Sequence, residues 1–201
     1  MCIRDSINMQ YNFRGENRVT TTDSLFLKKE MFDDAKYGMR HTIPISTNFK
    51  LFKHLSVSMS GNYEEVWTGS TLQRSDYDPE TESSGEKIEI KGFDRFGQYN
   101  FGMGIGTTVY GLFNFKKESK IEAIRHVIRP SINYSIRPSF DEYYDTYIID
   151  ANGNTAEYTR FEENFFGSPS KTYSSSIGLQ ISNNLEAKVR SKDSLASEPK
   201  K

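Results

Sequence analysis

The residues whose types and spacing are best suited to chemistry are a histidine and two serines in the second half of the chain. His126 lies shortly before Ser131 and Ser135. A hydrolase would use such residues as a positioned serine–histidine–acid set, in which the histidine accepts the serine proton. No Gly-x-Ser-x-Gly motif or comparable signature surrounds any serine. The sequence therefore favours a structural role for His126, as a polar residue beside a turn, and predicts no catalytic residue.

Metal binding would need histidines, cysteines or carboxylates at ligand spacing. His41 and His54 are isolated, as is His126, and Cys2 is the single cysteine. An acidic stretch, Asp76–Glu86, contains no Lys or Arg and could attract Ca²⁺ or Mg²⁺. It lacks the ordered Asp, Asn and Gly spacing of a dedicated calcium loop. We therefore predict a solvated acidic loop and no metal site.

Three glycines, Gly102, Gly104 and Gly106, superficially resemble a phosphate-binding loop. They alternate with Met103 and Ile105, and no helical pattern follows them. A nucleotide-binding glycine motif opens a helix, so we predict neither a nucleotide site nor any other cofactor site. Glycines on the inward face of a strand instead allow tight curvature or the close approach of the contents of a lumen.

The glycines belong to the clearest strand pattern in the chain. From Tyr99 to Phe113, mostly apolar odd positions alternate with glycine, polar residues and a few apolar ones. A strand places alternate side chains on opposite faces, so one face is apolar. After a short charged turn, Asn114–Lys120, a second long segment, Ile121–Pro138, alternates again at its far end, from Ile128 to Arg137. Strands of soluble proteins usually have about five or six residues. The length of both segments therefore predicts a hairpin of a transmembrane β-barrel.

Four further segments alternate in the same way: Ile7–Phe13, Tyr37–Leu51, Leu55–Trp67 and Tyr173–Val189. Pro44 removes a ladder donor from the second of these, so we expect an edge or a bulge there. Glu65 interrupts the apolar alternation, which suggests that its strand has left the hydrocarbon by that point, with Tyr63 and Trp67 near the interface. Two smaller features are also predicted: a helical turn or two within Ser24–Lys36, and a small hairpin of Tyr147–Ile149 with Glu157–Phe161 around Asn152-Gly153.

The connections between the strands alternate between long and short. The long ones are Arg14–Lys36, Thr68–Arg95 and Ser139–Thr172, and the short ones are Phe52–His54 and Asn114–Lys120. Outer-membrane barrels have short periplasmic turns and long extracellular loops. The predicted fold class is therefore all-β, part of an antiparallel up-and-down transmembrane β-barrel with about six long strands. Because a closed barrel needs about eight strands, six should form an open, curved sheet on their own.

Composition narrows the alternatives. Only 35% of the 201 residues are hydrophobic, and no apolar run approaches the ~20 residues of a membrane helix. Aromatic residues make up 13%, as interfacial girdles require, although a soluble β-sandwich or solenoid can be equally aromatic. The net charge of -1 does not indicate a nucleic-acid partner.

The chain divides into three parts. We interpret residues 1–6 (MCIRDS) as a sequencing artefact, residues 7–190 as part of a barrel and residues 191–201 as a truncated polar connection.

Three segments, Gly92–Phe113, Ile121–Pro138 and Ser176–Arg190, resemble the barrel of the LptD family in the form found in Bacteroidetes-type bacteria. The most specific piece is Ile124–Pro130 with the Tyr134 and Arg137-Pro138 pattern behind it, and the next most specific is Asn183–Val189. LptD proteins assemble lipopolysaccharide at the outer membrane. The resemblance implies a barrel that accepts lipopolysaccharide from a periplasmic bridge and contains a plug lipoprotein. The sugars would pass through a polar lumen, and lipid A would leave sideways into the outer-membrane lipids.

The resemblance implies a transport protein and not an enzyme, with no cofactor. Three alternatives stay open from the residues alone. The chain could belong to another outer-membrane barrel, such as a porin or a nutrient receptor. It could be a barrel hydrolase that uses Ser131 and His126, as some outer-membrane phospholipases use such residues. It could also be a secreted β-rich binding protein.

Overall fold

A computed structural model describes residues 6–33, 35–52, 54–116 and 119–190 of the chain. The predicted terminal segments lie outside the described residues, except that Ser6 begins the first strand. Within the described residues, no helix is long and apolar enough to cross a membrane. The elements, in chain order, are β1 Ser6–Met9, β2 Asn12–Arg18, α1 Lys29–Asp33, β3 Lys36–Leu51, β4 Leu55–Arg74, β5 Lys87–Gly106, β6 Val109–Asn114, β7 Ile121–Arg137, β8 Tyr144–Ile148, β9 Thr155–Thr159 and β10 Ser174–Val189.

One antiparallel sheet contains most of these strands. β1 and β2 follow each other along one edge of β3, and β4 and β5 come next. β6 continues the line of β5 beside β7, and β10 forms the other edge. The described strands thus occupy six positions in an open up-and-down sheet, with no closed barrel. This confirms the predicted fold class, a barrel-type antiparallel sheet. β8 and β9 pair with each other as the predicted small hairpin.

Two strands that the alternation predicts as continuous are interrupted. The first breaks between β1 and β2 at Gln10 and Tyr11, and the second breaks between β5 and β6. Each break lies opposite a proline: Gln10 N donates to Pro44 O (3.1 Å), and Thr107 N donates to Pro130 O (3.1 Å). Proline has no N–H with which to return the bond, so the pairing is interrupted there and resumes in the same register two residues later. The edge or bulge expected at Pro44 is not what forms: β3 has neighbours on both sides, and its pairing with β1 and β2 keeps one register across the two-residue gap.

The connection predicted at Thr68–Arg95 is mostly strand, which corrects the sequence interpretation. β4 and β5 each have 20 residues and extend as a paired hairpin to Arg74 and Lys87. A register shift between Thr68 and Ser70 separates this extension from the regular part of the sheet. The apolar alternation ends near the shift, because neither face of the extension forms a continuous apolar surface. Backbone pairing continues without an apolar face, so the alternation alone underestimates the length of β4 and β5.

The two faces of the sheet differ in chemistry across all six positions. Residues that pair across neighbouring strands form a row that crosses the whole sheet, and successive rows point to opposite faces. One such row carries mainly large apolar side chains, and the next carries small polar ones. The apolar row is Ile7, Thr47, Met59, Met103, Tyr134 and Ile177; the polar row is Asn8, Ser46, Ser60, Gly102, Ser135 and Ser176. Most of the apolar face is open, and Ile177 is 77% exposed. Such an extensive exposed apolar surface is suited to contact with lipid. We call these surfaces the apolar face and the polar face.

Candidate functional site: the polar face and the segment that covers it

The polar face is narrow at its centre because β5 contributes glycines there. A Cβ placed on Gly104 would lie 2.8 Å from Asn133 Oδ1 and 2.7 Å from Ser58 Oγ. The side chains of β4 and β7 therefore lean over the β5 backbone from both sides. The groups that approach the glycines here are side chains of neighbouring strands, and the close approach of lumen contents stays a prediction. Hydroxyl and amide groups thus line the face with no bulky side chain between them.

A groove of about 300 Å³ lies on the polar face near the short turns. It forms where β5 ends and β6 begins, so the interruption opposite Pro130 helps to shape it. Thr107 Oγ1 donates to His54 O (2.8 Å), which ties this break to the β3–β4 turn. The groove is lined by hydrogen-bonding side chains and one guanidinium: Ser56, Thr108, Arg129, Ser131, Gln180 and Ser182.

At the opposite end, residues 138–173 fold over the polar face; we call them the covering segment. Phe161 packs against Val66 and Phe96, and its ring centroid is 4.8 Å from that of Phe96. All three side chains are at most 1% exposed. Tyr143 and Phe166 pack around them. This cluster is the most deeply buried apolar core among the described residues, and it joins a loop to a sheet face that is mainly polar.

Charged and polar contacts hold the covering segment in place around this core. Arg160 Nε lies 2.8 Å from Asp94 Oδ2, and Arg74 Nη2 contacts both carboxylate oxygens of Glu162 at 2.6 and 2.8 Å. Ser170 N donates to Gln98 Oε1 on the polar face (3.3 Å). These pairs are partly exposed, so each contributes little on its own. Together with the aromatic cluster, they define one orientation of the segment.

Lys87 Nζ lies 2.6 Å from Glu163 Oε1 and adds a further contact to the extension of the sheet. The hydrogen bond from Lys87 lowers the pKa of the Glu163 carboxyl below its ordinary value of 4.5. Lys36, whose Nζ is 3.6 Å from Glu163 Oε2, acts in the same direction. Docking of the covering segment therefore favours the ionised form of Glu163.

The turn within the covering segment is organised by one aspartate. Asp150 Oδ1 accepts hydrogen bonds from the backbone N–H groups of Asn152 (2.9 Å) and Asn154 (3.1 Å), and Oδ2 accepts from Asn154 Nδ2 (2.6 Å). Gly153 has a φ of +82°, a left-handed conformation that glycine adopts without steric cost. Aspartate and asparagine at such positions favour turns because their side chains bond to nearby backbone groups. The predicted Asn152-Gly153 turn is thus confirmed.

On the apolar face, Glu65 places a carboxylate between the aromatic side chains of Tyr63 and Trp67. Its carboxylate accepts hydrogen bonds from Tyr63 OH, Trp67 Nε1 and Arg95 Nη1, each at 2.7 Å. His41 packs 4.3 Å from the Trp67 ring between centroids. Aromatic side chains with polar tips are typical of membrane–water interfaces. The arrangement is compatible with the interfacial position expected for Tyr63 and Trp67, although their depth in a bilayer stays a prediction.

The structure does not bring the residues of the alternative hydrolase together. His126 belongs to the apolar face, where its Nε2 lies 3.3 Å from Asn183 Oδ1. Ser131 lines the groove on the polar face, and Ser135 Oγ lies 2.8 Å from Ser176 Oγ on the same polar face. A strand directs residues of opposite parity to opposite sides, so His126 cannot act on either serine.

The acidic stretch forms turns. Asp78 accepts hydrogen bonds from Glu80 N (2.9 Å) and Thr81 Oγ1 (3.0 Å), and Asp76 Oδ1 accepts from Ile148 N (2.8 Å). Among the described residues, no three His, Cys, Asp or Glu side chains are grouped as a metal site would require. That the chain has no catalytic, cofactor or metal-binding residue stays a prediction.

Sequence reasoning missed both the groove and the covering segment. The groove depends on the break opposite Pro130, and the proline was the available signal. For the covering segment, the sequence predicts only a connection with a small hairpin. The available signal was the presence of three aromatic residues, Phe161, Phe165 and Phe166, in a mainly polar loop, since such side chains usually pack against another part of the protein.

A comparison with known protein families identifies the family to which the chain belongs. The model of the family described as "LptD protein" matches residues 2–201. The chain belongs to the LptD family. LptD proteins are outer-membrane proteins of lipopolysaccharide transport, and the family is not known for enzymes. The resemblance inferred from the sequence is thereby confirmed. Neither the search of curated proteins nor the search of solved structures gave a match.

Proposed function

We propose that this chain forms part of an outer-membrane translocon that inserts lipopolysaccharide into the outer leaflet. The polar face would line a lumen that guides the sugars, and the apolar face would contact lipid. The observation that carries the proposal is the separation of these two faces across six antiparallel positions in a member of the LptD family. Six positions fall short of the about eight strands of a closed barrel, so we place the sheet within a larger barrel.

The physical task of such a translocon is to keep the sugars out of the hydrocarbon. A hydroxyl moved into an apolar environment without a hydrogen-bond partner costs about 2–7 kcal/mol. The polar face offers hydroxyl and amide partners at successive positions, including Ser58, Ser60 and Asn133. Lipid A, in contrast, gains by reaching the hydrocarbon, so it leaves laterally. The chain acts by passive guidance, with energy supplied from elsewhere, and performs no covalent chemistry.

The proposed orientation places the short turns in the periplasm and the long connections outside the cell. The covering segment would then lie at the external end of the polar face. A periplasmic bridge would deliver lipopolysaccharide from the other end, and a plug lipoprotein would occupy the lumen. Both partners follow from membership of the family and belong to the proposal.

Two neighbouring residues of β7 allow a direct test in the producing bacterium with the full-length protein. Asn133 belongs to the polar face and Ile132 to the apolar face, and Asn133 lies level with Gly104 and Ser58, close to the β3–β4 turn. A photo-crosslinking amino acid at Asn133 should give adducts that react with an antibody against lipopolysaccharide sugars. The same amino acid at Ile132 should give phospholipid adducts instead. Sugar adducts at Ile132 and none at Asn133 would contradict the proposed assignment of the faces.

A further inference from the structure

We propose that the groove at the β5–β6 break binds an anionic sugar, one that carries a phosphate or a carboxylate, with Arg129 as its anion ligand. This inference rests on the proposed function, because it requires that the polar face meets the sugar part of the glycolipid. It adds the kind of sugar that is recognised and the residue that recognises it.

Arg129 is the cationic side chain of the groove. Within the described residues it makes no hydrogen bond or ion pair, and no acidic side chain lines the groove with it. Neighbouring cations of the polar face are engaged. Arg125 Nη1 lies 3.8 Å from Glu186 Oε2 and packs over the Tyr110 ring, and Lys188 Nζ lies 2.9 Å from Glu122 Oε1. The guanidinium of Arg129 is therefore left available to a ligand.

The remaining lining groups suit the hydroxyls of a sugar. Ser131 and Ser182 each offer a hydroxyl that donates and accepts, and the Gln180 amide does both through separate atoms. Gly106 leaves space at the base of the groove, since a Cβ there would lie 3.2 Å from Ser131 Cβ and 3.3 Å from Pro130 O. A volume of about 300 Å³ is at the lower end of small-ligand sites, which fits one or two sugar rings.

The chemistry favours a charged substituent on a sugar over a free anion. A guanidinium binds carboxylate or phosphate through two parallel N–H···O bonds. A single guanidinium in an open groove would hold a small free anion weakly. A sugar that bears the anion adds hydrogen bonds from its hydroxyls to the serines and the glutamine, so the same Arg129 gains a ligand anchored at several points.

The test uses the full-length protein purified in detergent together with its plug partner. The first probe is the water-soluble oligosaccharide released from lipopolysaccharide by removal of lipid A, with its anionic groups intact. The second is the same oligosaccharide after dephosphorylation and reduction of its carboxyl groups, and the third is inorganic phosphate. Calorimetric titration should show about tenfold tighter binding of the anionic oligosaccharide than of the neutralised one, as expected for a charge-assisted hydrogen bond. Inorganic phosphate at equal concentration should not displace the oligosaccharide.

Variants assign the effect to one side chain. R129Q should remove the difference between the two oligosaccharides, and R129K should retain part of it. Arg137 is an exposed arginine of the polar face outside the groove, so R137Q is the matched control and should retain the full difference. Equal binding of the two oligosaccharides by the native protein would overturn the inference. Displacement by phosphate, or the same loss in R137Q, would also overturn it.

A parallel measurement separates this inference from the proposed function. Depletion of the protein from the producing bacterium should stop the appearance of new lipopolysaccharide at the cell surface. If depletion has no such effect, the proposed function fails whatever the groove binds. If depletion stops transport but the native protein binds both oligosaccharides equally, the translocon proposal stands and only the role of Arg129 is lost.

Discussion

At the residue scale, Phe161 is the side chain on which docking of the covering segment depends most. It is buried against Val66 and Phe96, so its truncation leaves a cavity that the stiff sheet cannot fill. A buried Phe→Ala change typically costs about 3–5 kcal/mol. Phe161→Ala should therefore release the segment while the sheet stays paired. Limited proteolysis of intact cells should cleave within residues 138–173 faster in this variant.

The control is Phe26→Ala, the same chemical change at a side chain that is 63% exposed. It should leave the cleavage rate unchanged. Equal protection of residues 138–173 in the native protein and in Phe161→Ala would show that the aromatic cluster does not hold the segment.

A substitution at Gly38, on the sheet, tests the same docking of the covering segment. Gly38 is buried beneath the segment, and a Cβ there would lie 3.0 Å from Phe165 Cδ2 and 3.5 Å from Phe166 Cε2. Gly38→Val should push these rings away, at a cost of about 1–3 kcal/mol for overpacking. Gly178→Val is the control, because a Cβ at Gly178 has no neighbour within 4 Å. We expect faster cleavage within residues 138–173 only for Gly38→Val; equal cleavage rates in the two variants would rule out contact at Gly38.

At the element scale, the ion pairs of the covering segment make its docking depend on pH. The pKa of Glu163 is lowered by the hydrogen bond from Lys87, so its contribution is fully present above the ordinary value of 4.5. It is lost as the pH falls through the lowered pKa. Hydrogen exchange of residues 138–173, corrected for intrinsic rates, should therefore quicken modestly as the pH falls below 4.5 and through the lowered pKa of Glu163. The effect should be small because the pair is exposed.

Glu163→Gln isolates this contribution, since glutamine does not titrate. The variant should exchange faster than the native protein at pH 6 and should have a flatter dependence on pH. If the native protein and Glu163→Gln show the same pH profile, the Lys87–Glu163 pair does not couple docking to pH.

The elements also show how far the sequence predicts this fold. Alternation identified every position of the sheet, because a half-exposed apolar strand must repeat with a period of two residues. It failed where pairing does not require an apolar face. The β4–β5 extension beyond Thr68 is held by backbone pairing and by contacts with the covering segment, such as Arg74 with Glu162. The breaks at Gln10 and Thr107 arise from prolines on neighbouring strands. The groove and the covering segment depend on contacts between distant parts of the chain, such as Phe161 with Phe96, which local patterns do not encode.

At the scale of the whole molecule, the assignment of the two faces predicts opposite responses to a charge at adjacent positions. Ile132 is 55% exposed on the apolar face, and Asn133 follows it on the polar face. Arginine on the lipid-facing side of a barrel costs about 2–4 kcal/mol at the bilayer midplane, and less towards the interfaces. Ile132→Arg should therefore lower the amount of folded protein in the outer membrane. Asn133→Arg should be tolerated, because the polar face can hydrate the guanidinium.

The measurement is the fraction of the full-length protein that migrates as the compact, heat-sensitive form in outer-membrane fractions. Both variants add the same side chain to the same strand, so a difference between them reports the face and not the loss of strand propensity. A soluble β-rich protein would bury the apolar face against a second layer, and its full-length form would partition into the soluble fraction. Equal assembly of Ile132→Arg and Asn133→Arg, or a larger defect for Asn133→Arg, would mean that the apolar face does not meet lipid. The lumen, the groove around Arg129 and the route for the sugars would then all have to be reassigned.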